Sequence, residues 1–136
     1  WYPYKYDRRH DISIVLTHEL TKSWDISTTW VYGTGNAITF PQAIYYDIPG
    51  NNNINFLESY GSRNSSRLNS YHRLDIGFSH SKQKKKYKRV LSFGAYNLYN
   101  RKNPFFAYLT TENNDRVAKQ VSLFPIIPSF SYRIQF

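Results

Sequence analysis

The sequence contains no cysteine and no methionine. Without cysteine there is no disulfide framework, no thiolate metal site and no thiol nucleophile, and the redox compartment cannot be read from this chain. Long hydrophobic runs are also missing. The longest aliphatic stretch is Ile12-Ser13-Ile14-Val15-Leu16 and mean hydropathy is −0.63, which excludes a membrane-spanning helix of about 20 apolar residues. A spanning β-strand is not excluded, because it needs only about 9 to 11 residues with every second one apolar, a pattern that averaging hides. Acid is scarce, with 9 carboxylate side chains against 18 Lys and Arg, and six of those cations fall in residues 82–89, so the net charge of +9 is largely local. The chain opens on Trp1 with neither a start residue nor a secretory signal, and we expect it to be the end of a longer polypeptide.

What the sequence has in excess is rings: 13 Tyr, 9 Phe and 3 Trp in 136 residues. They recur with period two, the mark of half-buried strands, in five stretches. Across residues 9–20, Ile12, Ile14, Leu16 and Leu20 share one face, with Asp11, Ser13, Thr17 and Glu19 on the other. Across 24–40, Trp24, Ile26, Thr28, Trp30 and Tyr32 oppose Asp25, Ser27 and Thr29. Across 71–82, His72, Leu74, Ile76, Phe78 and His80 oppose Arg73, Asp75, Gly77 and Ser79. Residues 89–109 form the fourth strand and 117–136 the fifth, the latter ending on Phe130, Tyr132, Ile134 and Phe136 against Ser129, Ser131, Arg133 and Gln135. Residues 41–70 and 110–116, rich in Asn, Gly, Ser and Pro or simply polar, read as long loops.

The fold class is therefore all-β, an antiparallel up-and-down meander of about five long strands. Connections alternate short and long, which puts the short turns at one end of the sheet and the long loops at the other. Alternation alone suits two architectures: a transmembrane barrel with its apolar face toward lipid, or a soluble barrel with that face as its core. Two features favour lipid. The polar face is built of Ser, Gly and Thr with embedded charges, as a wet or plugged lumen requires, and no segment has the helical amphipathicity to cover the charge-poor face. Five strands are too few to close a transmembrane barrel, so this reading needs strands from outside the sequence.

The run Tyr96-Asn97-Leu98-Tyr99-Asn100-Arg101-Lys102-Asn103-Pro104-Phe105-Phe106 resembles the C-terminal region of TonB-dependent outer-membrane receptors of Bacteroidota type. So do the terminus from Ser122 to Phe136, Trp30-Val31-Tyr32-Gly33-Thr34-Gly35-Asn36, and Tyr71-His72-Arg73-Leu74-Asp75, in that family's order. The resemblance implies the closing segment of a 22-stranded barrel in the bacterial outer membrane, its C-terminus on the periplasmic side, in a receptor that imports a nutrient such as a glycan, peptide or siderophore. Implied partners are the upstream strands and plug of the same receptor, TonB through the absent N-terminal part, a surface lipoprotein, the barrel-assembly machinery, and lipid with lipopolysaccharide. No cofactor is implied.

Candidate sites follow, each beside its plainer role. Phe130, Tyr132, Ile134 and Phe136 are similar to the C-terminal assembly signal of such barrels, and are equally an ordinary lipid-facing strand. Asp11, Glu19, Asp25, Arg73, Asp75 and Arg133 face the lumen, where mutual pairing or bonding to a plug is their default. Tyr45, Tyr46, Phe56 and Tyr60, set among amide side chains, are a substrate or lid loop, against a plain external loop. The basic run 82–89 invites a nucleic-acid reading, the runner-up function for a soluble aromatic-rich β-barrel, but its single ring, Tyr87, favours a solvated turn. His10, His18, His72 and His80 lack ligand spacing, so no metal site is expected, and no catalytic constellation is visible.

Overall fold

The computed structural model describes residues 1–46, 56–112 and 115–136, and within these the side chains of Ile44, Tyr46, Phe56 and Arg116, with that of Asp115, lie outside the description. Strands dominate and no helix occurs among the described residues. Five long strands form one antiparallel meander: β1 (Asp11–Thr21), β2 (Trp24–Gly33), β7 (Tyr71–Gln83), β8 (Lys88–Tyr96) and β11 (Ile127–Gln135), in the order β1-β2-β7-β8-β11. The intervening elements are β3 (Ala37–Ile38), β4 (Pro41–Tyr46), β5 (Phe56–Tyr60), β6 (Ser66–Arg67), β9 (Phe106–Glu112) and β10 (Asp115–Val121). The expected meander is thus present, with β1 and β11 each paired on one side only.

Register keeps the two faces separate through all five strands, as period-two patterning demands when one face is apolar. On one face the rows Thr28–Ile76–Ala95–Pro128, Ile26–Phe78–Phe93–Phe130 and Trp24–His80–Leu91–Tyr132 succeed one another toward the short turns. On the other, Thr17–Ser27–Gly77–Gly94–Ser129 and Glu19–Asp25–Ser79–Ser92–Ser131 run from edge to edge. Rings on the apolar face stack where register brings them together: Phe78 on Phe93 at 5.3 Å between centroids, Trp24 on His80 at 4.6 Å.

The sheet lies in a single layer. Among the described residues Ala37 is the one buried hydrophobic side chain, while Leu16, Phe130 and Tyr132 are 65%, 74% and 53% exposed. The accessible surface is 10808 Å², where a compact monomer of 16.2 kDa presents about 7,500 Å². The apolar face that in a self-contained barrel would be core is open.

Five expected segments need correction. The second strand was expected to run over 24–40 but leaves the sheet at Gly33. There the chain packs backbone to backbone: a Cβ on Gly35 would lie 1.7 Å from the Leu68 carbonyl oxygen, and Leu68 N–H donates to Asn36 O at 3.0 Å. The expected loop 41–70 is not irregular throughout; β3 pairs with β6 and β4 with β5, so an extended two-stage hairpin rises from the sheet, with residues 47–55 outside the description. The β3–β6 ladder joins residues about 30 apart, as Ala37 with Arg67, which local turn chemistry cannot register.

The fourth strand, expected over 89–109, stops at Tyr96 because Asn97 and Asn100 adopt φ of 53° and 52°, left-handed conformations that end a strand. The last expected strand, 117–136, is likewise two: β10 pairs with β9 as a separate hairpin, and β11 begins after Pro125. The expected loop 110–116 is the tip of that hairpin, of which 113–114 are not described.

Candidate functional site

The polar face of the sheet is concave around an open trough of about 370 Å³ lined by Ser27, Asp75, Ser79, Ser92, Ser129 and Ser131 among others. Its floor is the Gly77–Gly94 pair. A Cβ on Gly94 would meet Ile76 O at 2.5 Å, so β7 and β8 approach here more closely than a side chain permits. Ser79 Oγ and Ser92 Oγ share a hydrogen bond of 2.8 Å across the trough, and Ser27 Oγ donates to Gly77 O at 3.5 Å.

One rim of the trough is an ionic cluster. Arg73 Nε donates to Asp75 Oδ2 at 2.9 Å, and one of its terminal nitrogens donates to the hydroxyls of Tyr71 at 2.9 Å and Tyr96 at 2.7 Å. The guanidinium also lies 4.1 Å over the Tyr96 ring. Alternation along β7 puts Tyr71, Arg73 and Asp75 in file, and register adds Tyr96 from β8. The second carboxylate oxygen of Asp75 accepts the Asn97 backbone N–H at 2.9 Å. Both Asp75 oxygens are thus engaged, and the cluster is a bolt between two strands with hydroxyl and ring edges toward the trough, not a poised base or nucleophile.

Asn97 itself is fully buried. Its side-chain amide donates to Arg101 O at 3.0 Å and Phe124 O at 2.9 Å, while its Oδ1 accepts Arg101 N–H at 3.2 Å. Two more asparagines repeat the device at intervals of three. Asn100 Oδ1 accepts Ile126 N–H at 3.0 Å, and Asn103 brackets His72, accepting its N–H at 3.0 Å and donating to its carbonyl at 2.9 Å. Side-chain amides therefore replace ladder hydrogen bonds where β8 ends, tying the 97–103 corner to the start of β7 and to the approach to β11. Sequence reasoning used this run for its resemblance and did not see its role; the spacing Asn97, Asn100, Asn103 was the available signal.

Of the other expected polar-face residues, Asp11 pairs with Arg8 at 3.4 Å beside the start of β1. Glu19 and Asp25 sit opposite one another in register and line a separate cleft of about 510 Å³ with Thr17 and Ser27. Arg133 lies opposite Val90 on that face, at the turn end and away from the Arg73 cluster.

Phe130, Tyr132 and Ile134 line the apolar face of β11, the sheet edge, and Phe136 follows just beyond its end, fully exposed apart from a Tyr87 ring 6.4 Å away. In the hairpin, Tyr45 and Tyr60 are 63% and 57% exposed, and Tyr60 OH donates to Glu58 at 2.6 Å. Tyr60 borders a hollow of about 270 Å³ with Phe40 and with Tyr108 and Leu109 of β9, an element the sequence did not link to this loop. The side chains of Tyr46 and Phe56 are outside the description. Residues 1–7 strap onto this end: Asn64 donates to Pro3 O at 2.8 Å, and Arg67 pairs with Asp7.

Among the described residues no group of three or more His, Asp and Glu converges as a metal would require. No described helix is long and apolar enough to cross a membrane, which says nothing of strands. Set against protein-family models, curated proteins and solved structures, the chain finds no match in any of the three.

Proposed function

We propose that this chain is the closing part of a TonB-dependent outer-membrane receptor, contributing five wall strands and the C-terminal strand to a 22-stranded barrel that imports a nutrient. The observation that carries the reading is the depth profile of the apolar face. Passing from the short turns to the loops, its rows are Trp24–His80–Leu91–Tyr132, His18–Ile26–Phe78–Phe93–Phe130, Leu16–Thr28–Ile76–Ala95–Pro128, Ile14–Trp30–Leu74 and Ile12–Tyr32–His72, with the Tyr99 ring against His72. Trp, Tyr and His rings are concentrated in the outer rows, and the two inner rows carry aliphatic, Phe and Thr side chains with one histidine, His18. From Trp24 to Tyr32 is eight strand steps, about 26 Å along the strand and about 20 Å along the membrane normal at a tilt of about 40°, comparable with the apolar band of about 25 Å in outer-membrane barrels. A soluble core has no reason to sort its rings by depth.

Two further features support it. Among the described residues both edges of the sheet are unpaired, as expected of a segment flanked by other strands. The concave polar face, hydroxyl-lined with Arg73 and Asp75 at one rim, suits a lumen that holds a plug. In this arrangement Phe130, Tyr132, Ile134 and Phe136 face lipid and serve as the assembly signal, and the β3–β6 and β4–β5 ladders stand outside the cell. Lipopolysaccharide, a lipoprotein partner and the substrate meet that side, and TonB acts through the preceding part of the receptor.

The test is partitioning of the polypeptide expressed with and without its preceding chain. Detergent-dependent extraction and heat-modifiable migration on gels, obtained only with the upstream part, are expected. A monodisperse soluble β-protein from these 136 residues alone would overturn the proposal and favour the nucleic-acid-binding alternative.

A further inference from the structure

Beyond the aromatic row at the short-turn end, the apolar face carries one more row: Lys82 opposite Arg89, and Arg89 opposite Ile134. Two cations directly across a ladder repel, and among the described residues no carboxylate side chain on their own face pairs with them. No carboxylate side chain occurs in sequence between Asp75 and Glu112, Glu19 and Asp25 belong to the opposite face, and among the described residues no ion pair includes a side chain of 82–89. Lys22 adds to the excess, because its turn is bound to this one: Ser81 N–H donates to Ser23 O at 2.8 Å and His80 Nδ1 donates to the same carbonyl at 3.1 Å.

The surroundings name the counter-charge. The pair lies one row below Trp24, His80, Leu91 and Tyr132 and is flanked by the Tyr87 and Phe136 rings, with the Phe78–Phe93–Phe130 row beyond. An anion seated here has a continuous apolar strip running from it toward the middle of the sheet. A free phosphate or a nucleic acid has no use for that strip; an acyl chain does. We propose that Lys82 and Arg89 seat the phosphate of an anionic phospholipid in the periplasmic leaflet, with its chains lying along Leu91, Phe93 and Phe130. The inference rests on the barrel reading given above and adds a specific ligand at its membrane boundary.

The protein, in its native chain context, is folded into phosphatidylcholine vesicles with and without phosphatidylglycerol. Folding is followed by heat-modifiable migration, and phosphatidylglycerol retained through detergent washing is measured by lipid mass spectrometry. The informative variant moves charge without changing its total: Lys82→Gln with Gln83→Lys, and Arg89→Gln with Val90→Arg, which transfers both cations to the polar face. Retention by the wild type and an about thirtyfold loss in this variant, with folding unchanged, is expected from the worth of two cations at an anionic surface. Equal retention by variant and wild type would overturn the seat, attributing attraction to overall charge, and leave the barrel reading standing. Failure to fold into either vesicle, with salt-dependent binding of oligonucleotides by 82–89, would remove the barrel reading and this inference with it.

Discussion

Asp75 and Asn97 are joined where two strands part: the carboxylate of one, already held by Arg73, accepts the backbone N–H of the other at 2.9 Å. The bond connects the ionic cluster of the polar face to the asparagine corner that ends β8. A side chain read as lumen decoration is therefore also a component of the turn that sets where the last hairpin leaves the sheet.

Replacing Asn97 separates the two things it supplies. Asn97→Gly keeps the left-handed backbone and loses the bonds to Arg101 and Phe124, whereas Asn97→Ala loses both. We expect losses of about 2 and 3 kcal/mol respectively, read from urea midpoints of the folded, detergent-solubilised protein. Equal stability of the two variants would show that backbone conformation at this position is not under constraint.

The Arg73–Asp75 pair is partly exposed, at 22% and 25%, so its value is screened. A double-mutant cycle with Arg73→Met and Asp75→Asn should give a coupling of about 1 kcal/mol, weaker at high salt. A coupling near zero would reduce the cluster to surface decoration.

Gly77 and Gly94 face each other across the trough floor but are not equivalent. A methyl on Gly77 meets the Ser27 hydroxyl at 2.9 Å, which can rotate away, whereas a methyl on Gly94 meets the Ile76 carbonyl at 2.5 Å, which cannot. Gly94→Ala should abolish or sharply lower the heat-modifiable species while Gly77→Ala retains most of it. The reverse order would refute the close backbone approach assigned to Gly94.

Charge placed on adjacent residues of β11 should distinguish its faces. Phe130→Lys lies at depth on the apolar face and Ser131→Lys on the polar face. In vesicles the first should cost about 2 kcal/mol or more and the second little. Equal costs would mean that lipid does not cover the Phe130 side.

Deleting Phe136 removes a fully exposed ring from the sheet edge and touches no core. Lower membrane levels of folded protein with unchanged stability of what does fold are expected from an assembly role; unchanged levels would end that assignment.

The strand faces were legible because side-chain alternation is a local property: Ile12, Ile14 and Leu16, or His72, Leu74 and Ile76, declare their face without reference to any partner. The short connections, and with them the order of β1, β2, β7, β8 and β11, follow from the same pattern. What the sequence could not decide is everything that depends on distant backbone. The left-handed turns at Asn97 and Asn100 are stable only because Arg101, Phe124 and Ile126 arrive to satisfy their amides. The base of the hairpin that spans 37–67 forms where Ser66 and Arg67 return to pair with Ile38 and Ala37. Tyr71 and Tyr96 join Arg73 through file and register, and Lys82 confronts Arg89 through register alone. Composition and period state which side chains prefer water; only the folded ladder states which of them meet, because hydrogen-bond register is set by the whole sheet and not by any one strand.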